Sequence, residues 1–313
     1  MSANCGSSRL RRSGVKHRNC GSSRLRRSGV KHRNSSASRL LVHLVLITFT
    51  GLTLLPVALV VRKAITPGQE FELTLNPIPS RVTLDHFRHV VGASLPDGTW
   101  LFGRQLLNSL LAALGTTVLG VFLACTAAYA FSRFRFPGRR FGLLTFLVVQ
   151  MFPATLLMIP LYIILSRLGL LSNILGLVLV YSTTAIPFCV WMLKGYFDTI
   201  PRELEEAALI DGASRLRIFY GIILPLARPA IAVTALFCFM TAWNEYILAA
   251  TFLGRETSYT LPVLIKSYVG EYGSTQWGSF AAGAIIVSIP VVALFYALQK
   301  NLVAGLTAGG VKG

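Results

Sequence analysis

Charge is scarce in this 313-residue chain: 13% of its residues are charged, against about a quarter in an ordinary soluble domain. Only 12 are acidic. The five cysteines, Cys5, Cys20, Cys125, Cys189 and Cys238, form no CxxC pair and no metal-ligand spacing. A disulfide-stapled secreted domain is thereby excluded, and the low charge excludes a disordered chain or a coiled coil. Three of the cysteines sit in apolar runs and read as small hydrophobes, with no redox or metal role. There is no Gly-x-x-x-x-Gly-Lys-Ser/Thr phosphate loop, so the chain cannot hold ATP in the usual way.

Apolar residues, by contrast, make up 53%, and mean hydropathy is +0.61. They lie in long runs, and about 20 apolar residues in a helix cross the ~30 Å of hydrocarbon in a bilayer. Six stretches suffice: Leu40–Val61, Leu107–Phe131, Phe141–Leu165, Ile174–Leu193, Pro229–Phe252 and Phe280–Leu298. The fold class is all-α integral membrane, with six transmembrane helices. The third and fourth spans are separated only by Ser166–Asn173 and should form a hairpin. Pro56, Pro153, Pro160, Pro187 and Pro290 fall inside spans. A bundle tolerates them, and broken helices are common where a substrate passes; simple packing kinks account for each equally well.

The net charge of +18 would ordinarily point to nucleic acid, but its distribution does not. Ten of the 30 Lys and Arg lie between Arg9 and Arg33, with no acid among them. Residues 4–18, NCGSSRLRRSGVKHR, recur unchanged at 19–33. So little apolar content gives nothing to bury, and disorder is expected. Residues 1–38 therefore read as a basic repeated cytoplasmic tail and 39–313 as the six-helix transmembrane domain. The tail is a segment that attracts anionic lipid, a duplication that contributes nothing, or a targeting presequence. A removed secretory signal is not expected, because the apolar run that follows is too long.

Six spans put both termini on one side. If that side is cytoplasmic, inside segments hold 22 Lys and Arg and outside segments 8; without the tail the balance is 11 to 8. Arg133–Arg140, with four arginines and no acid, votes most cleanly for inside. The expected topology is N-in and C-in, in the plasma (inner) membrane.

The loop at 195–228 holds five of the twelve acids: Asp198, Glu203, Glu205, Glu206 and Asp211. Pro201–Gly212 reads as a short helix. Pro201 suits its first turn, early acids complement the dipole, and Gly212 can end it in a left-handed conformation. A second short helix should follow, to about Leu224. Ala207, Ala208 and Leu209 on such a helix read as a docking surface, since small residues let another chain approach closely.

Glu206-Ala207-Ala208, three residues, Gly212, nine residues, Ile222, one residue, then Leu224-Pro225, matches the EAA loop of ABC importer permeases at every position. The chain resembles that family, which implies the type I ABC importer permease fold. It also implies that the loop is a coupling helix seated in a cleft of a separate ATPase subunit. Glu205, Glu206, Ala207, Ala208, Gly212, Ile222, Leu224 and Pro225 are its ATPase-coupling candidates. By resemblance Glu206 makes the polar contact, Ala207 and Ala208 pack in the cleft, and Gly212 allows the turn. A surface helix that merely caps the bundle is the alternative.

Ala128-Tyr129-Ala130-Phe131-Ser132-Arg133, with Phe136-Pro137-Gly138, resembles the end of the second span in carbohydrate permeases. Trp243-Asn244-Glu245-Tyr246 resembles a fifth-span motif of the same group. Gly305-Leu306-Thr307-Ala308-Gly309-Gly310-Val311-Lys312-Gly313 resembles the tail of MalG-type maltose/maltodextrin permeases. These likenesses imply a non-catalytic subunit that helps move maltose, maltodextrin or a related α-glucoside inward. ATP and Mg would bind the ATPase, leaving this chain without cofactor or metal. The implied partners are a companion permease in a heterodimer, two ATPase subunits, an extracytoplasmic sugar-binding protein and the lipid bilayer, with no nucleic acid. The segment Ser267–Trp277 would reach into the binding protein through Gly270, Glu271, Tyr272, Gly273 and Ser274; an ordinary exposed loop is the other reading.

Trp243, Asn244, Glu245 and Tyr246 are the substrate-pathway candidates. An ionisable residue in a span is costly and points to function. Yet helical neighbours point about 100° apart, so the four cannot share one pocket, and helix–helix contact is the competing reading. The family's sugar contacts lie mainly in the companion permease, so this chain need not touch sugar. An ion-coupled secondary transporter of a small polar solute would need a relay of intramembrane acids, and only Glu245 qualifies. A scaffold without transport would leave the coupling loop unexplained.

Overall fold

The computed structural model describes residues 36–70, 76, 78–79, 81–270 and 275–310, without the side chains at 36–38, 154 and 301–310. The repeat at 4–33 lies outside the described residues. The described residues divide into two units, one up to Gly51 and one from Leu52 on. Among the described residues the structure is helical, with one isolated β-bridge between Ser94 and Trp100.

Helix α1 (Ser36–Ile65) begins three residues inside the stretch assigned to the tail. Leu40, Leu44, Ile47, Phe49 and Leu52 are all exposed on it. A helix apolar all round belongs in hydrocarbon. Next come α2 (Asp85–Val91), α3 (Leu101–Arg133), α4 (Arg139–Met151), α5 (Ala154–Arg167) and α6 (Ile174–Phe197). Then follow α7 (Glu203–Ile210), α8 (Arg215–Ile218), a π turn at Phe219–Ile223, α9 (Leu224–Leu226) and α10 (Arg228–Trp243). After the break at 244–246 stand α11 (Ile247–Phe252), α12 (Leu261–Ser267) and α13 (Trp277–Gly310).

Helices α1, α3, α6 and α13 are long and apolar enough to cross a membrane alone, and counting each bent helix pair as one span raises the number to six. The third expected span breaks at Phe152-Pro153. Proline offers no N–H and forces the preceding residue out of the helical region, and Phe152 is extended at ψ 127°. The fifth expected span ends as a helix at Trp243 instead of running to Phe252.

The bundle centres on α3 and α6. A row at four-residue spacing that winds around α3, Asn108, Ala112, Thr116, Gly120, Ala124, Ala128 and Ser132, is buried along its whole length. A Cβ at Gly120 would lie 3.1 Å from Cys238 Sγ, and one at Gly115 2.8 Å from Val178 Cγ2. Lipid offers helices no hydrophobic drive toward each other, so close packing of small residues holds such spans together.

The two ends of α3 are tied to different segments. At its start, Gln105 Nε2 donates to the Glu256 carbonyl at 2.9 Å, and Asn108 Nδ2 donates to the Thr257 and Tyr259 carbonyls at 2.9 and 3.0 Å. Ser109 Oγ accepts from Leu261 N at 2.7 Å. Near that end Gln69 Oε1 accepts from the N–H groups of Gly278 and Ser279 that open α13. The other end of α3 meets the loop that carries α7.

Candidate functional site

Helix α7 is defined by its own chain chemistry. Arg202 O accepts from Glu205 N and Glu206 N at its start. Gly212, at φ +81°, ends it. Gly212 N donates to Leu209 O at 3.1 Å and Ala213 N to Ala208 O at 2.9 Å. This paired closure is the Schellman arrangement, which glycine adopts without steric cost. Ser214 Oγ then accepts from Arg217 N at 3.3 Å and opens α8. Ile222 and Leu224 pack, half-buried, on a core that includes Ile218, Phe219 and Ile223, and Pro225 sits half-buried within α9.

The two faces of α7 differ. Glu206, Ala207, Leu204 and Leu209 are exposed, Ala208 is half-buried, and Ile210 is 87% exposed. Leu204, Leu209 and Ile210 thus form an exposed apolar ridge on an otherwise polar loop. Glu205 points the other way and is 8% exposed. Its Oε1 accepts from Arg133 Nε, and its Oε2 from the Tyr129 hydroxyl at 3.1 Å. Arg133 Nη2 donates to Ile200 O at 2.9 Å.

A second polar link lies alongside. Ser132 Oγ donates to Asp198 Oδ1 and Lys194 Nζ to Asp198 Oδ2, both at 2.6 Å. Burial pushes the Asp198 carboxyl up, but the hydrogen bonds from Lys194 and Ser132 and the charges of Lys194 and Arg133 outweigh it, so its pKa lies below the ordinary value. Sequence reasoning grouped Glu205 with the ATPase-coupling candidates, whereas its carboxylate is buried against Tyr129 and Arg133, partners that reasoning missed. The only signal was the Ala128–Arg133 segment, which earned notice as a resemblance and not as a contact surface.

The four pathway candidates are separated by the break after α10. Trp243 is 1% exposed, stacks on Phe239 and donates from Nε1 to Val287 O at 3.0 Å. Asn244 Nδ2 donates to Met240 O at 3.0 Å. Glu245 Oε1 accepts from Ile247 N and Leu248 N, and Oε2 from Leu248 N and Ala249 N, all at 3.0–3.2 Å. A carboxylate here meets the unpaired N–H groups and positive dipole end of α11. This local bonding explains why the helix does not run on to Phe252. Asn244 and Tyr246 are exposed and line an open cavity of about 500 Å³ with Met240, Lys266 and Ser288.

Gly270, half-buried, accepts at its carbonyl from Thr275 Oγ1 at 3.2 Å. The other binding-protein candidates, Glu271, Tyr272, Gly273 and Ser274, lie outside the described residues.

A bundle of long apolar helices, two spans of it bent, is a multi-pass membrane protein. Over residues 116–308 the chain matches the family described as binding-protein-dependent transport system inner membrane component. It is 38% identical over 271 residues to the maltodextrin transport system permease protein MdxG of Bacillus subtilis, covering 85% of this chain and 95% of that one. It is 38% identical over 256 residues to the trehalose transport system permease protein SugB of Mycobacterium tuberculosis, covering 78% and 90%. Its fold matches a crystal structure of a bacterial ABC transporter involved in alginate import, with a TM-score of 0.70 and 25% identity, over 86% of this chain and 98% of that one. The chain belongs to this family of inner membrane components and has the type I ABC importer permease fold.

Proposed function

We propose that this permease serves a sugar importer, and that its cargo is maltodextrin or a related α-glucoside. The observation that carries the reading is the bare outer face of α7, where Glu206, Ala207 and Ile210 stand exposed on a helix anchored from behind by Glu205. Relatives named for maltodextrin, trehalose and galactooligosaccharides support a sugar, and the maltodextrin and maltose permeases among them, at 35–38% identity, favour an α-glucan.

In this reading α7 and α8 lie in the cytoplasm and seat in an ATPase subunit, one of two in the complex, which binds ATP and Mg and does the chemistry. Glu206 makes the polar contact and Ala207 and Ala208 enter the cleft. Both termini are cytoplasmic. A companion permease completes the path, to which this chain contributes Asn244 and Tyr246. A sugar-loaded binding protein docks on the opposite face near Gly270. The alternative of an ion-coupled transporter loses its one candidate acid, because four backbone hydrogen bonds occupy the Glu245 carboxylate.

The test is uptake of radiolabelled maltose, trehalose and longer α-glucans into vesicles carrying this chain, its companion permease and ATPase, with the binding protein outside. ATP-dependent uptake of one glucan, abolished by Glu206→Lys at unchanged expression, is the expected result. Uptake indifferent to ATP and to that substitution would overturn the reading.

A further inference from the structure

The polar contacts behind α7 exceed what a docking helix needs. Glu205 is one of only 12 acids in the chain and is nearly buried. A buried carboxylate is tolerated only when paired and hydrogen-bonded. Both its oxygens are satisfied by α3, through Tyr129 and Arg133, which lie 76 and 72 residues away in sequence. The same arginine holds Ile200 O, and Arg202 Nη2 reaches back to Ser132 O at 3.3 Å. Every one of these bonds joins the last turn of α3 to α7 or to the residues just before it.

Helix α3 is suited to carry a displacement onward. Its 33 residues span about 50 Å at 1.5 Å per residue. Of the four helices long enough to span alone, α1, α6 and α13 each contain a proline, at Pro56, Pro187 and Pro290, and α3 contains none. Proline is one of the recognised causes of sharp kinks in long helices. At its far end, Gln105, Asn108 and Ser109 hold segment 256–261 by four hydrogen bonds.

We propose that Glu205 is a positioning residue that locks α7 to α3, so that α3 acts as a rod delivering the displacement of α7 to the segment at 256–261 on the opposite side of the bundle. The role rests on the reading of α7 as the ATPase-docking helix. In it Glu205 touches neither ATPase nor sugar. Glu206 makes the contact and Glu205 transmits it. Loss of the lock lets α7 move without α3, so ATP is hydrolysed with less sugar carried.

The experiment uses the whole complex in vesicles, with uptake and ATP hydrolysis measured on one preparation, for Glu205→Gln and the milder Tyr129→Phe. We expect sugar carried per ATP to fall at least tenfold in the first and two- to threefold in the second. A merely structural role would lower uptake and hydrolysis together and leave the ratio unchanged. In parallel, Arg255→Cys, exposed beside segment 256–261, is labelled from outside with an impermeant maleimide. Its labelling rate should change on ATP binding, and that change should shrink by at least half in Glu205→Gln. An unchanged ratio in both variants overturns the proposal, as does a labelling rate that ignores ATP. Ala207→Cys is also tested for cross-linking to a cysteine-bearing ATPase. No cross-link overturns the docking reading itself, whereas a cross-link with an unchanged ratio overturns only the lock.

Discussion

Glu205 and Glu245 are both carboxylates set into an apolar bundle, and they are neutralised in opposite ways. Glu205 is bound by side chains of a helix more than 70 residues away in sequence. Glu245 is bound by the backbone N–H groups of Ile247, Leu248 and Ala249. The first bond set joins two elements. The second ends one helix and starts another. An acid within or beside a span is therefore not by itself a sign of substrate or ion handling. Where its partners come from decides whether it couples, shapes or transports.

Removing one partner from each site tests that contrast most strongly. Arg133→Ala leaves the Glu205 charge buried against a single hydroxyl and should cost about 3–5 kcal/mol. It should give the largest fall in unfolding temperature in detergent, and a fall no larger than that of a surface arginine would erase the distinction. Glu245→Ala leaves the first N–H groups of α11 without their cap and should cost about 1–2 kcal/mol. Glu245→Gln, which keeps a carbonyl acceptor, should recover part of it on the same measurement. If instead Glu245→Gln lowers uptake as far as Glu245→Ala while stability is restored, the charge itself matters to transport.

Gly212→Val places a β-branched residue at φ +81° and should cost about 1–2 kcal/mol. Its sharper readout is co-purification of the ATPase, which should weaken as the end of α7 is redirected, while Glu245→Ala should leave co-purification intact.

The smallest effect is expected at Asp198. Its folded-state pKa is lowered, so ionised Asp198 adds stability above its unfolded value of about 4. That contribution disappears as pH falls through the lower folded value. Because its side chain is 39% exposed, the contribution should stay under about 1 kcal/mol. Unfolding of the parent between pH 5 and about 3, compared with Asp198→Asn, should show it, since the variant lacks this component of the acid sensitivity.

Much of this was legible along the chain. Local order decides where apolar runs begin and end, and α1, α3, α6 and α13 each contain the stretch expected of them. The turn at Gly212 was equally legible, because a helix followed by glycine closes through neighbouring residues alone. The break at Phe152-Pro153 could have been read from the proline. The break at 244–246 could not, since Glu245 is as compatible with a continuous helix as with a cap.

Residue order alone specifies the apolar runs of a helical membrane bundle and the spacing of the loop from Glu206 to Pro225. Helical periodicity establishes which side chains share a face, and apolar length establishes what crosses the bilayer. Packing between distant segments sets that Glu205 turns inward while Glu206 turns out, that Trp243 packs inside while Asn244 and Tyr246 reach a cavity, and that α3 is tied at both ends. Those outcomes depend on which face meets which neighbour, and that is set by contacts between residues far apart in the chain, which no local pattern records.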